Sequence, residues 1–135
     1  MTAAAGRRAG FAAWLLAAGA LAAQTGNTHI LIVGGLGGEP DYERRFATYV
    51  SDLEQIGGKL AGDASRVVSL SGKGATREAI QSALEKLART ATAADSLAVF
   101  LIGHGSFDGA AYKFNIPGPD LTHEEIGRAS CRERV

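Results

Sequence analysis

The feature that most constrains this chain is a short apolar run, LAVFLI at residues 97–102, halted by Gly103 and followed by His104 and Gly105. A continuous apolar run of this length, bounded by polar residues and glycine, reads as a strand buried on both faces. Such a strand belongs in the middle of a parallel sheet covered by helices. Open α/β sheets place their chemistry in the loops at the carboxyl ends of their strands, and His104 stands there. The flanking glycines leave its imidazole uncrowded, and Gly105 has access to backbone angles closed to other residues. Histidine also exchanges a proton near neutral pH. Two roles compete for His104: a structural histidine at a strand end, or a general base beside a nucleophile from a neighbouring strand.

Upstream, the pattern alternates strand and helix. HILIV at residues 29–33 is a β-branched run ending in Gly34 and Gly35, the first buried strand. His29 stands at its edge, where a structural role is expected. Residues 34–40, GGLGGEP, form a glycine-rich loop bordering a cleft. It is a poor dinucleotide fingerprint, because Pro40 occupies the place of the third glycine. Residues 41–56 predict a helix with Phe46, Val50, Leu53 and Ile56 as its apolar stripe, Asp41 as its cap, and Gly57-Gly58 as its stop. Tyr42 and Tyr49 read as packing residues. RVVSL at residues 66–70 is the second strand. The following SGKGAT is not a phosphate loop, since Val67 stands where its first glycine belongs and Gly74 where Ser or Thr follows the lysine. Thr76 caps a second helix, with Glu78 in its first turn and Ile80, Leu84, Leu87 and Ala91 on one face.

Beyond the His-Gly strand, AAYKFNI at residues 110–116 alternates apolar and polar residues and predicts an exposed hairpin arm. Leu121 and Thr122 lead towards another helix. His123-Glu124 starts no zinc motif, because Gly127 stands where H-E-x-x-H needs its second histidine. The expected fold is α/β. Its βαβαβ unit of parallel strands is joined by right-handed crossovers and carries the hairpin arm.

The two ends read differently. Arg7 and Arg8 precede an apolar run at residues 11–21, closed by the A-x-A cleavage pattern Ala20-Leu21-Ala22. This is a secretory signal over residues 1–22, so the protein is expected to be exported, periplasmic or extracellular, without stable membrane insertion after cleavage. At the other end, EIGRASCRERV, residues 125–135, resembles the in-frame translation of a common short-read sequencing adapter. The domain is therefore expected at residues 29–124, with residues 125–135 excluded from it. That includes Cys131, the only cysteine, so no disulfide framework is expected. Lys plus Arg and Asp plus Glu balance at 14 each, which gives no electrostatic footprint for nucleic acid. No cofactor or metal is expected.

ATREAI at residues 75–80, a helix, and then DSLAVFLIGHGS at residues 95–106 resemble the caspase-like cysteine peptidases, and most closely the bacterial relatives of legumain. The resemblance covers residues 29–122. It implies an incomplete caspase-like three-layer sandwich, with His104 and Gly105 as catalytic residues. It further implies a nucleophilic cysteine at the end of the next strand, and peptide or protein substrates. The family's spacing puts that cysteine about 50 residues past the histidine, so Cys131 comes too early. The first strand also ends in glycines where legumain has an asparagine. Accordingly the chain is expected to be the N-terminal part of a secreted cysteine endopeptidase and inactive alone. A catalytically dead relative that binds peptides or partners is the alternative. Oligomeric state is left open, although a half-sheet presents an edge that could pair with another copy.

Overall fold

β1 (Thr28–Gly34) is the axis of the fold. Its residues from Ile30 to Val33 are fully enclosed, and successive side chains point to opposite faces. Leu31 and Val33 face one core, with Ile80, Leu84 and Leu87 of α2 (Arg77–Thr90). Ile30 and Ile32 face the other, with Val50 and Ala61 of α1 (Pro40–Ala61). The two helices therefore cover opposite faces of a parallel sheet. β2 (Val67–Leu70) pairs with one edge of β1 and β3 (Ser96–Ile102) with the other, giving the order β2-β1-β3. The computed structural model describes residues 26–130; the signal-like residues 1–22 and Cys131 lie outside the described residues.

This arrangement corrects the expectation for the His-Gly strand. β3 is not in the middle of the sheet; among the described residues its outer edge is unpaired. Leu97, Phe100 and Leu101 remain 37–38% exposed, whereas β1 takes the buried centre. The physical reason is that β1 and β3 are both uninterrupted apolar runs. Nothing in an apolar run says which one receives a neighbour on both sides. The crossover from β2 passes over β1 and lands on its far edge.

α1 departs from expectation at both ends. Pro40 occupies its first turn, where a missing N–H costs nothing. Glu39 precedes it without a side-chain cap, and Asp41 pairs with Arg44 instead of capping. Gly57 and Gly58 do not stop the helix, which runs to Ala61 and ends at Gly62 in the left-handed conformation, φ 68°. Gly57 is buried, and a β-carbon there would stand 3.4 Å from Ile30 and 3.5 Å from Val67. A mid-helix glycine costs about 1 kcal/mol relative to alanine, and a β-carbon at those distances would make ordinary van der Waals contact, so this buried position accepts glycine without requiring it. The buried stripe is thus Val50, Gly57 and Ala61, with Leu53 beside it, and Ile56 is half exposed. α2 follows its sequence closely: the Thr76 hydroxyl accepts from the Ala79 N–H at 3.2 Å.

After β3 the chain forms a second, antiparallel sheet, β4 (Gly105–Phe107), β5 (Tyr112–Phe114) and β6 (Leu121–Thr122). The arm expected to be exposed is so only in part. Tyr112 faces outward, but Phe114 and Ile116 are buried in the α2-side core. Then α3 (His123–Ser130) begins, so residues 125–130 continue a helix that starts inside the expected domain. Its start is a reciprocal box: Glu125 accepts from the Thr122 N–H at 2.9 Å, and Thr122 accepts from the Glu125 N–H at 3.3 Å. Glu125 also pairs with Arg77 of α2 at 3.1 Å, and Ile126 and Ala129 pack on the core.

At the amino ends of the strands, Asp95 ties β1 to β3. Its carboxylate accepts from the N–H groups of Thr92 at 2.7 Å and Asn27 at 2.6 Å, and His29 lies 3.9 Å away. Those bonds, Thr92's first, hold its pKa down from 3.8 to about 2. A depressed carboxyl pKa contributes stability that is present above the unfolded value and lost as pH falls through the folded one. Between pH 4 and 2, wild type is therefore expected to lose stability relative to Asp95→Asn. Urea midpoints of the two proteins across that range check this, and parallel curves would contradict it.

Candidate active site at the carboxyl rim of the sheet

β1 and β3 end in register, Gly34 opposite Ile102, so the loops that follow them meet on one rim. Gly35 donates to the Ile102 carbonyl at 2.8 Å, which prolongs the pairing past the strand. His104 emerges from this rim with its side chain exposed, on the side where the loop into α1 leaves β1.

Four features hold it there. Its carbonyl accepts from the Asn115 N–H at 3.0 Å. Asn115 in turn accepts from the Leu36 N–H at 2.9 Å through its own carbonyl, so one residue links the histidine to the glycine-rich loop. Beneath it, the Phe114 ring lies across Gly35 and Gly103. A β-carbon on Gly35 would stand 2.8 Å from that ring and one on Gly103 also 2.8 Å, so both positions need glycine for the ring to sit there. Lastly, the imidazole meets two aromatic rings of the first turns of α1. Tyr42 is 4.8 Å away between centroids with planes at 73°, and Phe46 is 5.2 Å away at 66°.

Gly105 opens β4, opposite Phe114. In an antiparallel ladder, hydrogen-bonded and non-bonded pairs alternate. The bonds from Asn115 to the His104 carbonyl and from Asp108 to the Ala111 carbonyl set the frame. Gly105 therefore occupies a non-bonded pair, and its N–H points away from β5, free of the hairpin ladder. A donor beside an imidazole and unclaimed by the ladder can face a developing oxyanion.

The glycine-rich loop is fastened, not free. The N–H groups of Gly35, Leu36 and Gly37 donate to Ile102, Asn115 and the Glu43 carboxylate. With these amides committed, the loop has little to offer a phosphate, in keeping with its broken fingerprint. His29 lies at the opposite end of the sheet, beside Asp95. Among the described residues it is the one histidine paired with a carboxylate; His104 is oriented by rings instead. His123 stands at the start of α3 beside an apolar dimple formed with Leu101, Phe114, Leu121 and Ile126. Among the described residues no group of His, Cys, Asp or Glu side chains is arranged to hold a metal ion, and no helix is long and apolar enough to cross a membrane.

The sequence singles out His104 and Gly105, and the structure places Asn115, Phe114, Tyr42 and Phe46 beside them, residues to which the sequence assigns no such place. Tyr42 and Phe46 carried a signal, being aromatic and four residues apart on the helix that follows the first strand. Asn115 carried none, because its role depends on pairing across the hairpin. No protein-family model, curated protein or solved structure matches this chain.

Proposed function

We propose that this chain contributes the histidine side of a caspase-like cysteine endopeptidase, exported from the cell and acting on peptide or protein substrates. One observation carries the reading: His104 stands exposed at the carboxyl end of β3, whose outer edge is free among the described residues. A strand added parallel to β3 would run about 4.8 Å away, and a cysteine at its end would reach the imidazole. The exposed Leu97, Phe100 and Leu101 support this, as a long uncharged apolar edge is one that proteins usually cover. So does the resemblance of residues 75–80 and 95–106 to that superfamily.

The chemistry then follows. His104 takes the thiol proton, and the thiolate attacks the scissile carbonyl carbon. The oxygen of the tetrahedral intermediate gains negative charge, which the Gly105 N–H is placed to stabilise. His104 returns the proton to the leaving amine as the C–N bond breaks. Water, deprotonated by the same imidazole, hydrolyses the resulting thioester. No metal or organic cofactor enters this scheme.

The test uses the protein expressed from its uninterrupted reading frame, with an unfolded protein such as reduced casein as substrate. The expected result is peptide-bond hydrolysis that iodoacetamide abolishes. Hydrolysis indifferent to thiol alkylation would overturn the reading. Absence of hydrolysis would do the same, and casein retained without cleavage would point to a peptide-binding relative.

A further inference from the structure

We propose that Tyr42 and Phe46 are positioning residues that hold the His104 imidazole in its reactive orientation, an inference that rests on the endopeptidase reading. The problem they address is local. His104 lies between Gly103 and Gly105, so its neighbours in the chain offer no side chain to restrict its rotamer. Among the described residues it also has no carboxylate partner of the kind that usually orients a catalytic histidine; that pairing belongs to His29 and Asp95 at the far end of the sheet. The restraint comes from the helix instead. Tyr42 and Phe46 are one turn apart on α1, share a face, and stand 5.9 Å from each other. Both meet the imidazole at steep angles, 73° and 66°, the edge-to-face geometry that aromatic rings favour. Two such contacts from one helix face restrict how the imidazole can turn about its bond to the backbone.

The pair is itself anchored. Glu43, between the two aromatics in sequence, accepts from the Gly37 N–H at 2.8 Å and ties the first turn of α1 to the loop after β1. The Arg45 guanidinium lies over the Tyr42 ring, 5.4 Å from its centroid. The same contacts would also hold the imidazolium that forms when His104 takes up a proton, because aromatic faces attract cations.

Tyr42 is exposed and Phe46 only half-buried, so replacing either leaves the two cores intact. Two measurements test the inference. On the 135-residue chain, nuclear Overhauser contacts are expected between the His104 ring protons and those of both aromatics. They persist in Tyr42→Phe and are lost at that position in Tyr42→Leu. Their absence from wild type would overturn the geometry. On the protein expressed from the uninterrupted frame, Tyr42→Leu and Phe46→Leu are expected to lower kcat roughly ten- to hundredfold, the scale on which a misplaced catalytic group loses rate. KM should stay unchanged, and Tyr42→Phe should restore kcat. A change confined to KM would make the rings substrate contacts, and unchanged kcat in both leucine variants would remove the positioning role while leaving the endopeptidase reading intact. Absence of thiol-dependent hydrolysis in wild type would remove both.

Discussion

On the proposed endopeptidase reading, His104→Ala, in the protein expressed from its uninterrupted reading frame, is expected to lower kcat/KM for peptide hydrolysis by about 10²–10⁴, the usual contribution of a positioned acid–base group. The fall should appear equally in kcat, since the proton transfers occur in the transition state and not on binding. Stability should change far less. His104 is exposed and outside both cores. Its loss removes two edge-to-face contacts, of about 0.5–1.5 kcal/mol each when fully formed. Rates measured beside urea midpoints separate the two effects. Equal hydrolysis by the variant and wild type would remove His104 from the mechanism, whatever the origin of the activity.

Phe114→Ala is expected to cost about 3–5 kcal/mol of stability, a large share of what a domain of this size possesses. The ring lies across Gly35 and Gly103 and belongs to the α2-side core. Its floor is backbone, so no side chain there can relax into the space it leaves, and the cavity persists. The second antiparallel sheet would lose one of its attachments to the parallel one, beside those of Ile116 and Leu121, and with it the anchor below His104. The reciprocal change, Gly103→Ala, sets a β-carbon 2.8 Å from the same ring. Overpacking of that kind costs about 1–3 kcal/mol. Because both changes act on one gap, the double variant should be more stable than the sum of the single losses implies, as the added methyl partly fills the hole. Urea midpoints of the four proteins give the coupling; strict additivity would mean that ring and glycine do not meet.

Much of the fold was legible along the chain because it follows from local periodicity. The runs 29–33, 66–70 and 97–102 became β1, β2 and β3 to within a residue or two, and Thr76 caps α2 as its spacing implied. Errors occurred where a distant partner decided the outcome. Gly57 looks like a stop signal, but the helix runs through it, facing Ile30 and Val67, and stops at Gly62. Phe114 and Ile116 look like half of an exposed arm until the hairpin folds back onto the α2-side core. The domain boundary expected at Glu124 is a separate matter: α3 spans it, its start closed by Thr122 and Glu125, with Arg77 of another helix paired to Glu125.

By itself, the sequence determined the alternation of strands and helices and the placing of His104 just beyond a strand, since each depends on apolar spacing and glycine positions over a few residues; the parallel sense followed from the helical crossovers that this alternation implies. Only the tertiary structure decided that β1 and not β3 lies at the centre, and that Tyr42 and Phe46 close around the imidazole. Strand order and ring contacts join residues remote in the chain, and the free energy that selects them comes from shared burial, which no single segment carries.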